Sequence, residues 1–201
     1  MYFIIHIHSL FKICLTVGDN MIKNKNLPFV VAIAGVSGGG KTTIATYLNE
    51  RLLNSKILYF DDYDFDGPDS IIGWVDKGAN YDEWNLTPLI RDLKALLTEQ
   101  LDYIVIDFPF AYKHFETSKM IDFAVFIDTP LDIAMARRVI RDFENSSNEN
   151  IVLEMKNYIS KGRRGYLEML KTIKPNSNIT VDGTRSVIEI ADIIHEQISS
   201  R

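Results

Sequence analysis

The sequence predicts an α/β protein in which a five-stranded parallel sheet carries helices on both faces. Short, continuous apolar runs rich in β-branched residues are typical of strands buried on both sides of such a sheet. These runs alternate along the chain with longer segments of helical periodicity, as in repeated strand–helix units. A length of 201 residues suits one domain with a sizeable core. We expect a single domain over residues 21–201, preceded by an extra apolar segment at residues 1–20.

The alternation assigns each element in turn. The predicted strands are residues 29–34, 57–60, 103–106, 123–127 and 179–181. The predicted helices are residues 41–53, a segment from Thr87 onward, 128–143, 151–173 and 186–198. Thr87 is the expected N-cap of its helix, with Pro88 at the first helical position. Residues 74–85 are predicted to be irregular, residues 145–150 to form a polar break, and Gly162 and Gly165 to interrupt the long helical segment.

Four of these strands are followed directly by a glycine or an aspartate, namely Gly35, Asp61, Asp107 and Asp128. Right-handed crossovers bring the carboxyl ends of parallel strands to one edge of a sheet. Ligands of open α/β sheets bind at that edge. We therefore expect these four residues to lie together on a ligand-binding edge.

The segment between the first strand and the first helix matches the pattern G-x-x-x-x-G-K-[ST] at residues 35–42. Glycines let backbone N–H groups surround phosphates, and the following helix adds the favourable end of its dipole. Lysine at position 41 reaches the β- and γ-phosphates, and the hydroxyl of Thr42 is a Mg²⁺ ligand. The motif predicts a P-loop NTPase three-layer sandwich that binds ATP and Mg²⁺. The candidate nucleotide contacts are Gly35, Ser37, Gly38, Gly39, Gly40, Lys41, Thr42 and Thr43.

The acidic residues after the second strand favour phosphoryl transfer over other uses of a P-loop. The GTPase pattern N-K-x-D is absent, and the chain is short for a motor ATPase. Asp61 and Asp62 lie on the nucleotide edge, where a carboxylate can take the proton of an acceptor hydroxyl. A solvated acidic loop is the alternative. Asp107, at the end of the third strand, is a further candidate for Mg²⁺ beside Thr42 and Asp61.

Charge and cysteine content limit the partners. The formal net charge is −5, and no run of Lys or Arg is long enough for a nucleic-acid surface. The sequence therefore predicts a small-molecule partner and neither DNA nor RNA. Cys14 is the only cysteine, which excludes an internal disulfide and suits a reducing cytoplasm.

The apolar N-terminal segment, residues 1–17, allows three interpretations. It is shorter than the roughly 20 apolar residues of a spanning helix and lacks the features of a signal peptide. An added strand or helix, a weak membrane-surface anchor and a misassigned start all remain open. We favour the last, because codons for Gly18-Asp19-Asn20 can spell a ribosome-binding sequence before Met21. N-terminal sequencing of the natively expressed protein decides whether Met21 or Met1 is first.

Four segments together resemble the uridine kinase-like branch of P-loop small-molecule kinases. They are GVSGGGKTT at 35–43, FDDYD at 60–64, NYDEW at 80–84 and FIDTPLDIAMARRVIRD at 126–142. This family includes nicotinamide riboside kinase and is related to phosphoribulokinase and bacterial pantothenate kinase. The resemblance covers most of residues 29–198 and implies an ATP-dependent kinase with a helical lid, acting on uridine or a related nucleoside.

The resemblance also implies roles for single residues on the acceptor side. The first aspartate after strand two, here Asp61, is the family's base for the acceptor hydroxyl, and Asp62 and Tyr63 follow it as candidate substrate contacts. In the family's N-[FYW]-D-x-P segment the aspartate grips the ribose and the aromatic residue lies against the base. Those positions are Asp82 and Tyr81 here, and Trp84 stands where proline is usual. Uridine kinases place base contacts in the loop that here holds Phe110, Tyr112 and His114.

Arginines on the helix after strand four are the candidate lid residues. Arg138 and Arg141 share a helix face at i, i+3, and Arg137 and Arg141 at i, i+4. In the family, arginines of this segment close over the transferring phosphoryl group, whose developing charge fixed guanidinium groups stabilise. We expect Arg138 and Arg141 to act in catalysis and Arg137 on the substrate side. A solvated basic helix paired with acidic neighbours is the alternative.

Two rival functions stay open at this point. One is a kinase for another small hydroxyl compound, such as nicotinamide riboside, pantothenate or a sugar. The other is a nucleotide-sensing protein that keeps the P-loop but transfers nothing.

Overall fold

One parallel sheet of five strands, in the order β2-β3-β1-β4-β5, forms the centre of the computed structural model, which describes residues 27–200. The strands are β1 (Phe29–Ala34), β2 (Ser55–Tyr59), β3 (Tyr103–Asp107), β4 (Phe123–Asp128) and β5 (Ile179–Asp182). All four pairings are parallel, which confirms the predicted sheet. The apolar segment at residues 1–20 and the start proposed at Met21 lie outside the described residues.

Eight α-helices connect and follow these strands within residues 27–200. They are α1 (Lys41–Arg51), α2 (Ile71–Asp76), α3 (Thr87–Leu96), α4 (Phe115–Ser118), α5 (Leu131–Phe143), α6 (Asn148–Asn157), α7 (Arg163–Thr172) and α8 (Val187–Ser199). Short 3-10 segments occur at Phe60–Asp62, Tyr81–Glu83 and Lys174–Asn176. A π-helical turn at Tyr158–Gly162 separates α6 from α7.

The side chains of β1 alternate between two hydrophobic cores, one on each face of the sheet. Val31 and Ile33 pack with residues of α1 and α8. Val30, Ala32 and Ala34 pack on the opposite face with α3 and with the aromatic residues that follow β3. Because the buried strands have apolar residues on both sides, both faces need cover. The three layers predicted from the sequence are therefore confirmed.

Two local predictions were wrong. Residues 74–76, the start of the segment expected to be irregular, belong to α2, because the hydroxyl of Ser70 accepts a hydrogen bond from the backbone N–H of Gly73 at 3.2 Å and Trp74 is buried. Thr87 is the first residue of α3 and not its N-cap, since Leu86 occupies that position.

The long helical segment differs from its prediction at both its start and its middle. It begins at Asn148 because the hydroxyl of Ser147 accepts a hydrogen bond from the N–H of Asn150 at 3.4 Å. It is interrupted by the π-helical turn, which ends at Gly162, one of the two expected interruptions. Single π-helical turns often occur beside functional sites. Both Gly162 and Gly165 face the cavity described next.

Candidate active site

The carboxyl ends of β1, β2 and β3 meet at one edge of the sheet. Asp107, the last residue of β3, is in register with Ile33 of β1 and Tyr59 of β2. Gly35 comes two residues after Ile33, and Asp61 comes two residues after Tyr59. This edge forms one wall of a cavity of about 900 Å³. The P-loop lines one part of the cavity and a group of aromatic side chains lines another.

The P-loop is held tightly between β1 and the start of α5. A Cβ atom at Gly38, whose φ is +76°, would lie 2.0 Å from the carbonyl oxygen of Ala134 in α5. The buried hydroxyl of Thr129 donates a hydrogen bond to the carbonyl oxygen of Gly39 at 2.8 Å. Because α1 begins at Lys41, its first backbone N–H groups have no acceptor within the helix. These groups are suited to bind phosphate oxygens.

Lys41 lies where the phosphate site meets the acidic residues. Its ammonium group donates a long hydrogen bond of 3.4 Å to the carbonyl oxygen of Val36. Burial lowers the pKa of Lys41 below its ordinary value of 10.5, and the carboxylates of Asp107 and Asp61 oppose this shift. Burial thus disfavours the charged form of the side chain, and a bound polyphosphate would stabilise that form by its negative charge.

Thr42 and Asp107 form a pair suited to a divalent cation. The hydroxyl of Thr42 donates to Oδ2 of Asp107 at 2.5 Å. Oδ1 of Asp107 is buried and has no hydrogen-bond partner among the described residues. Burial raises the pKa of Asp107, while Lys41 and the Thr42 hydroxyl lower it. A free carboxylate oxygen beside a hydroxyl fits Mg²⁺, which takes one or two carboxylates and completes its shell with phosphates and water. Residues 27–200 contain no larger cluster of metal-binding side chains.

Asp61 lies in the 3-10 turn directly after β2 and lines the same cavity as Lys41. Its carboxylate is close enough to Lys41 and to Arg141 to affect the pKa of both. The side chain is exposed to solvent within the cavity wall. Lys41, Asp61, Thr42 and Asp107 therefore line one cavity, as the sequence predicted.

The structure separates the three arginines of α5. Arg137 lines the cavity and its guanidinium donates to the carbonyl oxygen of Gly183 at 3.3 Å. Arg141 also lines the cavity and pairs with Asp142 at 2.6 Å. Arg138 does not line it, because its guanidinium pairs with Glu154 of α6 and also contacts the hydroxyl of Tyr166 at 3.3 Å. Arg141 is also close enough to Asp61 for that carboxylate to raise its pKa.

Aromatic side chains form the part of the cavity beyond Asp61. Phe110 lies at their centre, with its ring centroid 5.4 Å from Phe60, 5.2 Å from Tyr81 and 5.4 Å from Trp84. Trp74 packs edge-on against Tyr81 at 5.0 Å. The hydroxyl of Tyr81 is hydrogen-bonded to Thr172 at 2.8 Å. Tyr81 is therefore a wall of the cavity, but its only polar atom already has a partner in α7.

Five predicted substrate contacts are not among the residues that line the cavity: Asp62, Tyr63, Asp82, Tyr112 and His114. The hydroxyl of Tyr63 donates to Asp92 at 3.1 Å. Asp82 accepts from the backbone N–H of Phe115 at 2.6 Å and lies 3.9 Å from the ring of His114. The hydroxyl of Tyr112 donates to the side chain of Asn178 at 2.6 Å. The polar groups of Tyr63, Asp82 and Tyr112 thus each have a partner within the protein.

Other residues of the site were missed from the sequence. The cavity is also lined by Ile71, Trp74, Tyr166 and Met169. Tyr166 and Met169 are three residues apart in α7 and so share one face of that helix. This spacing in the sequence could have indicated that both line the site. Trp74 was missed because its segment was predicted to be irregular. Thr129, which holds the P-loop, follows Asp128 in the segment already singled out by resemblance, but its hydroxyl bond depends on packing that no pattern reveals.

Comparison with known proteins points to one group of enzymes. No family model matches the chain. A uridine kinase of Ureaplasma parvum is 25% identical over 208 residues, covering 88% of this chain and 99% of the relative. A uridine kinase of Ureaplasma urealyticum is 28% identical over 189 residues, covering 79% and 89%. The crystal structure of TT1252 from Thermus thermophilus matches with a TM-score of 0.51 at 14% identity, over 87% of this chain and 98% of that one, a likeness of fold alone. The chain is thus similar over most of its length to the uridine kinase-like P-loop small-molecule kinases, as its motifs indicated.

Proposed function

We propose that the protein transfers the γ-phosphoryl group of ATP to a hydroxyl group of a small molecule. The observation that carries this proposal is that Lys41, the first residue of α1, and Asp61, in the turn directly after β2, line the same cavity. A nucleotide-binding protein that transfers nothing needs the lysine but has no use for a carboxylate facing it. The cavity volume of about 900 Å³ is within the range of small-molecule sites.

The proposed step is an in-line displacement at the γ-phosphorus. The acceptor oxygen forms a bond to that phosphorus while the bond to the β–γ bridging oxygen breaks, and ADP leaves. Asp61 takes the proton of the acceptor hydroxyl, so that the attacking oxygen does not become positively charged. Lys41 and Arg141 stabilise the charge on the transferring group, because both are fixed beside the cavity. Arg138 can join them only if it leaves Glu154.

Thr42 and Asp107 would hold Mg²⁺, which neutralises phosphate charge when bound. We expect Asp107→Asn to raise the Mg²⁺ concentration for half-maximal activity by about tenfold or more. Loss of a carboxylate that supports a metal site typically weakens metal binding by roughly 10–100-fold. Titrating Mg²⁺ at saturating ATP measures this shift. Asp102→Asn, at an exposed residue before the same strand, is the control and should leave the titration unchanged. An unchanged titration for Asp107→Asn would show that this carboxylate does not support the metal.

Uridine or a related nucleoside is the proposed acceptor. The curated relatives that carry the name uridine kinase support this choice, and so does the aromatic part of the cavity, where a planar base can stack. The departures from the family pattern keep other hydroxyl compounds open, such as nicotinamide riboside, pantothenate or a sugar. Asp82, which the resemblance assigns to the ribose, bonds to the backbone of Phe115 instead.

The experiment that tests the proposal is an assay of ADP release from Mg·ATP with a panel of nucleosides, vitamins and sugars. A nucleoside should stimulate ADP release well above the rate with water alone. Mass spectrometry should find the acceptor heavier by one phosphoryl group. If ATP binds but no member of the panel is phosphorylated, the transfer proposal fails and only nucleotide binding remains.

Two features of the chain concern the cellular compartment of the reaction. No helix within residues 27–200 combines the length and apolar character required to cross a membrane. We propose the cytoplasm as the compartment, because ATP is the phosphoryl donor and the sequence has a single cysteine.

A further inference from the structure

We propose that Trp84 is the specificity-determining residue of the acceptor end of the cavity, where it limits the acceptor to a compound with one uncharged ring. This inference rests on the proposed function, since it concerns what the kinase phosphorylates. The resemblance to uridine kinases does not supply it, because proline is usual at this position in the family.

Trp84 belongs to the aromatic part of the cavity wall. Its ring lies 5.4 Å from that of Phe110, and Phe110 lies 5.4 Å from Phe60, the neighbour of the proposed base. All three side chains line the cavity. An acceptor whose hydroxyl lies beside Asp61 therefore extends its body along Phe110 towards the indole.

The indole occupies its position because the neighbouring loop has no side chain there. A Cβ atom at Gly67 would lie 2.7 Å from Cε3 of Trp84, closer than real contacts allow. The same loop is fastened to the wall by a hydrogen bond of 2.8 Å from the N–H of Asn85 to the carbonyl oxygen of Asp66. Since this loop begins at Asp61, the proposed base and the size-limiting wall belong to one connected unit.

Shape, and not hydrogen bonding, fixes the indole in the protein. Its Nε1 is buried without a hydrogen-bond partner among the described residues. Trp74 differs, since its Nε1 donates to the carbonyl oxygen of Asn80 at 2.8 Å. Substituting Trp84 by phenylalanine therefore removes bulk without breaking an internal hydrogen bond, which makes it a clean test of size.

The charges of the cavity exclude an acidic acceptor at this end. The basic residues that line it are Lys41, Arg137 and Arg141. Each of them contacts residues other than the aromatic ones. Lys41 donates a hydrogen bond to Val36, and Arg141 pairs with Asp142. Arg137 lies beside Gly40 and Gly183. The aromatic residues of the cavity carry no positive charge that could pair with a carboxylate. An uncharged ring can stack against these side chains at a much smaller cost in lost hydration than a carboxylate.

The test compares uridine, which has one ring in its base, with inosine, which has two. Binding of both is measured by calorimetry in the presence of a non-hydrolysable ATP analogue, and phosphorylation by ADP release. We expect the wild type to prefer uridine, and Trp84→Leu to shift the ratio of inosine to uridine, in affinity and in kcat/KM, by about tenfold towards inosine. Trp84→Phe should shift it in the same direction by less.

Phe115→Leu is the matched control, an aromatic-to-leucine change at an exposed residue outside the cavity, and should leave the ratio unchanged. Thermal unfolding of each variant checks the fold, and Trp84→Phe carries the test if Trp84→Leu does not fold. If Trp84→Leu and Trp84→Phe change the affinity and kcat/KM for uridine and inosine by equal factors, the role of Trp84 is overturned. The same holds if the wild type binds neither nucleoside. A shifted binding ratio without any phosphorylation would support that role and refute the proposed transfer.

Discussion

Replacing Lys41 with methionine is expected to lower turnover about 10³-fold, because the charge that develops on the transferring phosphoryl group loses its nearest fixed cation. ATP affinity should fall as well, since the same ammonium group binds the phosphates in the ground state. Initial rates of ADP release and calorimetric titration with an ATP analogue measure the two effects. Lys171→Met, at an exposed lysine of α7 whose contact with Glu168 is only 4.0 Å, is the matched control and should retain full activity.

The same substitution should leave stability unchanged or increase it. Burial lowers the pKa of Lys41, so the charged form is disfavoured in the folded state relative to the unfolded one. The resulting cost is fully present at pH values below the folded pKa and is relieved as pH rises through that pKa towards 10.5. The stability gain of Lys41→Met should therefore shrink as pH approaches 10.5. Urea unfolding at several pH values measures it, and a variant less stable than the wild type at pH 7 would contradict this account of the site.

The fold could be predicted from the sequence because its signals are local. The strand β1, the helix α1 and the glycines between them follow one another directly, so composition, periodicity and motif agree over a single stretch. The order of the strands brings Asp61 and Asp107 to the same edge without any further choice. The main features of the phosphate side were therefore predictable from the motif and from the order of the elements along the chain.

The acceptor side was less predictable because it depends on packing between distant segments. Asp82 has the sequence position of a ribose contact, yet its carboxylate bonds to the backbone of Phe115, 33 residues away. Arg138 is one residue from Arg137 and shares its chemistry, but Glu154 of α6 holds it outside the cavity. Neither partner is adjacent in sequence, and neither is part of a motif. Spacing identifies which residues are chemically able to act, whereas tertiary contacts decide which of them are free to do so.

Replacing Asp61 with asparagine is expected to lower turnover by about 10³-fold while leaving ATP binding within about twofold of the wild type. An asparagine side chain has nearly the same shape but cannot accept the hydroxyl proton, a contribution typically of 10²–10⁴-fold. Because Asp61 is exposed at the cavity wall, the change should also leave the unfolding temperature nearly unaltered. Single-turnover ADP formation, with the acceptor saturating, separates the chemical step from binding.

The matched control is Asp64→Asn, an exposed carboxylate of the same loop that does not line the cavity. This variant removes the same charge from the same loop, so any general effect of charge on nucleotide or acceptor binding appears in both variants. Loss of turnover in Asp61→Asn alone, with the Mg²⁺ concentration for half-maximal activity unchanged, identifies proton transfer as its role. If the two variants lose turnover equally, the carboxylates of this loop act only through their negative charge and not by proton transfer. If neither loses turnover, the base lies elsewhere, and the placement of Asp61 opposite Lys41 serves binding without chemistry.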